Sequence, residues 1–386
     1  DEVFTNSGLT GRQMQAKAKN MLYDWFVTFR KEGFTEWNSS PYLPIDTLGI
    51  GSLYAFAQDP AMRELGREGM DFAYYLLAVH SQQGIFASSS GRTYIKEQFG
   101  NWSNCPSGLS WIGYGYGVPG HAGKGITSYC LSDYEPPKEF AQWFSIPRGK
   151  EMICQTTQGN DGYVDLYTYK TADYMMTSAN DFHPGEPGHQ ENPFQLTFNA
   201  VAQLWVTHPG ERVLFGAARP SYWAGNGTLP KVNQYKAFAG LIYDIAPEHP
   251  VDFTHLYLPS MEFDRCEVEG KWAFVQLGSA YAAVYCSNGM RMQDFGSNKD
   301  RECIAEGRRC IWLVRAAQAD EFAAFEDFKA AMRGAALDAD AEGRRYRFVD
   351  PVYGELRCQW GETLYVNDAP MQYSGFDNYG KLTMQE

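Results

Sequence analysis

The chain has 386 residues, enough for two domains that each bury their own core. Its formal charge of −13 argues against a polyanionic nucleic acid as partner, because phosphate binding needs a basic footprint, and any acidic polymer would need a locally basic cleft. Aromatic residues make up 15% of the chain, which fits a β-rich core and leaves ring faces in Gly-rich loops for stacking on sugars.

The first element is helical. From Gln13 to Phe29, apolar side chains recur at Met14, Ala18, Met21, Leu22, Trp25, Phe26 and Phe29. Pro44 and Asp46 introduce a second helix carrying Leu48, Ile50, Leu53, Tyr54 and Ala57. Asp59 and Pro60 form an N-cap and first-turn pair for a third helix. It lines up Met62, Leu65, Phe72, Ala73, Leu76, Leu77 and His80 on one face, and the second and third helices make an αα-hairpin. From Gln82 to Gly125 the pattern gives way to Gly, Ser, Tyr and Trp, a loop of the length that carries function. A short amphipathic helix follows at Glu139–Phe144, and Pro136, Pro137 and Pro147 place a boundary near residue 148.

Beyond that boundary the period changes to two. Tyr163–Tyr169, Leu196–Phe198, Leu204–Val206, Trp272–Leu277, Tyr281–Tyr285 and Cys310–Val314 read as strands between Gly, Asn and Pro turns. One helix, Asp320–Met332 with Asp320 as cap, interrupts them before they resume at Tyr346. The expectation is an α+β chain: helical hairpins over residues 1–148, then a large antiparallel β-sandwich over 149–386.

Eight cysteines lie without a CxxC pair, which argues against a zinc ribbon. Cys303 and Cys310 are spaced to close a short loop, while buried free thiols are expected for most of the eight. No apolar stretch reaches the length of a membrane span, and no signal peptide is recognisable. The chain opens at Asp1 without a methionine, as a processed or truncated product does. Compartment is left open, with a lean toward a secreted or periplasmic setting.

Two clusters carry chemistry. Glu36-Trp37-Asn38-Ser39-Ser40-Pro41-Tyr42 and Gly91-Arg92-Thr93-Tyr94 both sit where helical patterns stop, and both combine aromatic faces with hydrogen-bonding tips. Asn and Arg suit a carboxylate, and Tyr suits a proton. Arg92 and Tyr94 share a face if their segment is extended. His80 and His121 are candidate bases near the same loop. Asp181–Glu191 gathers two histidines and two glutamates without helical metal-ligand spacing, so it reads as a polar turn with His189 as a sugar contact. In Arg219–Gly227, Trp223 and Asn226 are candidate subsite residues. Asn226-Gly227-Thr228 and Asn101-Trp102-Ser103 match glycosylation acceptors. There is no Walker loop, no dinucleotide fingerprint and no nucleophile elbow.

Helical hairpins ending in the Trp-Asn and Arg-Thr-Tyr loops, joined to a many-stranded sandwich, resemble the heparinase II/III-like polysaccharide lyases. That resemblance implies an α/α-toroid, incomplete here, and an N-terminal portion of the ring is expected to be absent. It also implies β-elimination on a uronic-acid-containing glycan with no cofactor and no metal. Asn38 and Arg92 would neutralise the carboxylate, Tyr94 would move the C5 proton with help from His80 or His121, and Trp37, Tyr42 and Trp223 would stack on sugars. The partner implied is an acidic polysaccharide or oligosaccharide; neither a nucleic acid nor a membrane is expected, and homo-oligomerisation is left open. Two other classes remain. An inverting glycoside hydrolase would use Glu36 and Asp46, with Asp71 or Asp161 in reserve, about 6.5–9.5 Å apart. A non-catalytic glycan-binding protein would use the aromatic loops alone.

Overall fold

A computed structural model describes residues 2–98, 104–117, 119, 125–159 and 162–386. Three helices lead the chain: α1 (Gly11–Glu32), α2 (Leu43–Phe56) and α3 (Pro60–Val79). Thr10 and Gln13 close a capping box at the start of α1, satisfying two otherwise unpaired backbone donors. At α3 the Asp59 carboxylate accepts from the Ala61 N–H at 2.9 Å, and Pro60 fills the first turn. Helices α2 and α3 lie close enough that a Cβ on Gly66 would come within 2.5 Å of the Tyr54 backbone nitrogen. Helix α3 is buried along nearly its whole second half, whereas α1 buries only Phe26, Phe29 and Glu32 and exposes Met21, Trp25 and Val27. The long loop after α3 contains the short helices Ile95–Gln98 and Ser107–Tyr114. The amphipathic segment expected before the boundary is a 3₁₀ helix, Lys138–Trp143.

The rest of the described chain is dominated by antiparallel sheets. The largest has nine strands, in the order Arg291–Met292, Glu302–Glu306, Phe253–Tyr257, Gln203–Thr207, Phe194–Thr197, Met175–Asn180, Val164–Lys170, Glu151–Gln158, Lys381–Gln385. A six-stranded sheet runs Arg265–Glu269, Trp272–Leu277, Ala280–Cys286, Arg309–Gln318, Phe238–Asp244, Lys231–Tyr235. The two share one core, to which the first contributes Met176, Leu196 and Leu204 and the second Leu241, Phe274 and Val314. A five-stranded sheet spans Leu337–Pro370. The molecule is thus mixed α and β, with helices leading and a β-rich C-terminal part.

Several expectations change. The helix expected from Asp320 begins at Phe325, with Ala324 at its cap. Residues 319–324 form turns instead, because Glu321 is drawn to the buried guanidinium of Arg315. Strands resume at Leu337, before Tyr346. Cys303 and Cys310 do not pair: they lie on different sheets, and Cys310 meets Cys286 with their sulfurs 3.3 Å apart as free thiols. Among the described residues no helix is long and apolar enough to cross a membrane.

Candidate active site

The two clusters found in the sequence come together. In the first, Asn38 adopts φ +46°, a left-handed turn that Asn tolerates better than most residues. The turn lets the Leu43 N–H reach the Ser39 carbonyl at 2.9 Å, so α2 starts at once with Tyr42 at its cap. The second cluster threads between that turn and the β-rich part. Gly91 donates to the Trp37 carbonyl (2.8 Å), and a Cβ on Gly91 would strike the Trp37 indole nitrogen at 2.6 Å. On the other side Ser90 and Asn192 exchange backbone hydrogen bonds of 2.9 and 2.8 Å, and Thr93 donates to Gln190 at 3.0 Å. The Gln190 side-chain amide returns a bond to the Thr93 carbonyl at 3.1 Å. Thr93 is buried while Arg92 and Tyr94 are half-buried, the alternation of an extended segment.

Arg92, Tyr42 and Tyr94 thereby meet. The Arg92 guanidinium pairs with Glu36 at 2.8 Å and lies 5.2 Å from the centre of the Tyr42 ring. The Tyr42 and Tyr94 phenols lie close enough to act on each other's titration, and Arg92 acts on the Tyr94 phenol as well. From the β-rich part, the Arg219 guanidinium lies 5.5 Å from the Tyr94 ring centre. The side-chain interaction with Tyr42, then that with Arg92 and the charges of Arg219 and Arg92, hold the Tyr94 phenol below its ordinary pKa against the opposing effect of burial. The Tyr42 phenol is raised, first by the same interaction with Tyr94. Tyr94 opens onto a cleft of about 650 Å³ lined by Lys96, Gln190, Gly216–Arg219, Ser221 and Ala224. One wall comes from residues 94–96 and the other from residues 190–224 of the β-rich part. One helical turn into α2, Asp46 is raised to about 7 by burial and then by the charge of Glu36.

The other sequence candidates lie elsewhere or serve the scaffold. Asn38 is 2% exposed and donates to the Ser89 carbonyl at 3.3 Å, holding the second cluster against the first. His80 is fully buried at the end of α3, where Nδ1 meets the Thr168 hydroxyl at 3.0 Å. Burial, and then Lys170, push it down to about 3, so it stays neutral between helix and sheet rather than serving Tyr94. Trp37 is 1% exposed and packs edge-on against Phe182, so it offers no ring to a sugar. Trp223 is likewise internal, stacked 4.2 Å from His255. Asn226 is sealed: its amide accepts from the His208 N–H and the Tyr243 hydroxyl and donates to the Glu191 carbonyl. That burial also closes Asn226 to glycosylation in the folded state. His189 is exposed next to the cleft residue Gln190. His121, Asn101 and Asp161 lie outside the described residues. Asp71 is engaged by Arg67 and the Tyr134 hydroxyl, away from the cleft.

Two cleft cations, Arg219 and Lys96, were not among the sequence candidates. Arg219 heads the loop that was singled out for its aromatics, and its signal was a lone cation beside small residues on an acidic chain. Among the described residues no group of three or more His, Cys, Asp or Glu is arranged to hold a metal ion. Compared with known proteins, the chain matches no protein-family model, and no curated protein matches it significantly.

Proposed function

We propose that the chain is a polysaccharide lyase that cleaves a uronic-acid-containing glycan by β-elimination. The observation that carries this reading is the Tyr94 phenol, lowered by Tyr42 and Arg92 and open to a cleft with basic walls. In elimination the proton at C5 of the uronate is acidic only when the neighbouring carboxylate is neutralised. The Tyr94 phenolate takes that proton, the C5–H electron pair forms the C4–C5 double bond, and the C4–O bond breaks. The leaving oxygen then recovers a proton, which the Tyr94 phenol, now protonated, is placed to return. Tyr42 steadies the phenolate by donating to it. In this proposal the hairpin of α2 and α3 is a segment of an α/α-toroid joined near residue 148 to the sandwich, as in heparinase II/III-like lyases.

Incubation with a panel of acidic polysaccharides, followed by the near-ultraviolet absorbance of unsaturated uronates, tests it. Absorbance should rise, and Tyr94→Phe should slow the rise by about 10²-fold or more. A rise that persists unchanged in Tyr94→Phe would remove Tyr94 from the chemistry.

A second reading has its own observation. Asp46, raised to about 7, has the protonation a general acid needs near neutrality, and Glu36 stands beside it as the second carboxylate of an inverting hydrolase. New reducing ends without unsaturation, lost in Asp46→Asn, would establish that reading and reject elimination.

A further inference from the structure

The cations around Tyr94 are not equivalent. Arg92 is engaged by Glu36 at 2.8 Å, and Lys96 pairs with Glu97 at 3.2 Å. The loop's own carboxylate, Glu211, accepts from the Ala218 N–H at 3.0 Å and so shapes the turn that carries Arg219. Among the described residues Arg219 itself has no carboxylate at ion-pair distance. It is exposed, and Gly216, Ala217 and Ala218 beside it leave the wall of the cleft open. Its guanidinium lies 5.5 Å from the Tyr94 ring centre, across the cleft from the helical part. A guanidinium held over the Tyr94 ring at an open cleft, with no carboxylate at ion-pair distance among the described residues, can fork an anion locally even on a chain of net charge −13.

We propose that Arg219, rather than Arg92 or Asn38, binds the substrate carboxylate, so that the sandwich loop selects a uronate and presents its C5–H to Tyr94. This rests on the lyase reading for the fate of the bound sugar, though not for the binding itself. The chemistry fits the spacing, because C5 carries both the carboxylate and the proton. A carboxylate forked by Arg219 therefore sets the C5–H one carbon away, on the Tyr94 side. Arg92, already neutralised by Glu36, is left to position Tyr42 and Tyr94. The selected substrate is then a glycan with a free carboxylate on the residue that loses its proton. Esterified or carboxyl-reduced polymers are refused.

The test is binding of a short oligouronate and of its carboxyl-reduced counterpart to the full chain, with elimination assayed in parallel. Wild type should prefer the acidic probe, and Arg219→Gln should weaken acidic binding by about tenfold or more while leaving the neutral probe unchanged. Arg219→Lys should restore part of the preference, since a point charge replaces a planar fork. A structural role would move neither the acid-to-neutral ratio nor the titration of Tyr94, followed by NMR of tyrosine labelled at the ring carbon bearing the hydroxyl, which should shift upward in Arg219→Gln. Preference retained in Arg219→Gln overturns the assignment even if elimination proceeds. Arg219-dependent binding without elimination upholds it and rejects the lyase reading. Failure of wild type to bind the acidic probe in preference to the neutral one overturns it outright.

Discussion

Asp46 shows what one residue at this site does to the stability of the fold. Its carboxyl rises from an ordinary value of 3.8 to about 7, through burial first and the charge of Glu36 second. Between those values the folded chain holds a proton that the unfolded chain has released. A raised carboxyl therefore gives its full relative stability below the unfolded pKa and loses it as pH climbs through the folded one. Above that window the fold carries a partly buried charge without a partner. Asp46→Asn is expected to stabilise the protein at pH 8 by on the order of 1–3 kcal/mol and to change it little at pH 4. Urea unfolding at both values measures this; equal effects at the two would mean that Asp46 titrates normally. Individual site residues were legible unevenly. The alternation of Arg92 and Tyr94 follows from a period of two and holds, with Thr93 buried between them. Aromatic side chains in Gly-rich loops are ambiguous by nature: Trp37, Trp223 and Tyr42 look alike in sequence, yet the two indoles are internal and of the three only Tyr42 is half-buried, beside Arg92. Burial of a flat ring depends on what packs against it from distant parts of the chain, and no local pattern records that.

Among the elements, the α2–α3 hairpin depends on the approach of two backbones at Gly66. Alanine there would gain roughly 1 kcal/mol of helix propensity. It would also drive a Cβ into the Tyr54 backbone at 2.5 Å, which no side-chain rotation relieves. Overpacking of this kind costs about 1–3 kcal/mol, so Gly66→Ala should be net destabilising by up to about 2 kcal/mol. Denaturant titration checks the sign; a gain in stability would show that the helices move apart freely. Helix signals were legible where chemistry is local. Asp59-Pro60 is read from two adjacent residues, and the structure keeps it as cap and first turn. The helix expected from Asp320 starts five residues late because Glu321 is held by Arg315, a residue on the long strand Arg309–Gln318 whose guanidinium also grips Asp350. A tertiary ion pair there overrides a plausible cap. Fully buried strands such as Met175–Asn180 and Phe253–Tyr257 show no alternation, since both faces are covered, and so they escaped a search for period two.

At the scale of the molecule, helices and sheets are stitched by residues far apart in the chain. The Asn378 amide donates to the Phe29 carbonyl near the end of α1 at 3.2 Å, Gly159 donates to Glu32 at 2.9 Å, and Lys170 reaches the Ala78 carbonyl at 3.0 Å. Asn378 is 3% exposed, so removing its amide should cost about 1 kcal/mol. Asn378→Ala is expected to speed hydrogen exchange at the C-terminal end of α1 while leaving strand Arg309–Gln318 unchanged. Uniform change across both would mean that α1 opens only with the whole fold. The same long-range stitching explains why the cleft was only half legible. On its helical side Tyr94 comes from a motif visible in sequence, followed by Ile95 and Lys96, whereas Arg219 arrives from more than a hundred residues away, carried by a loop.

Strand Lys381–Gln385 covers the outer edge of Glu151–Gln158 in antiparallel register, with Lys381 opposite Gln155 and Gln385 opposite Glu151. On the ribosome the covered strand emerges about 230 residues before the one that covers it, so its hydrogen-bonding edge stays open over that stretch of synthesis. During that interval a nascent chain on a neighbouring ribosome, or a chaperone that adds a strand, competes for the place that Lys381–Gln385 comes to fill.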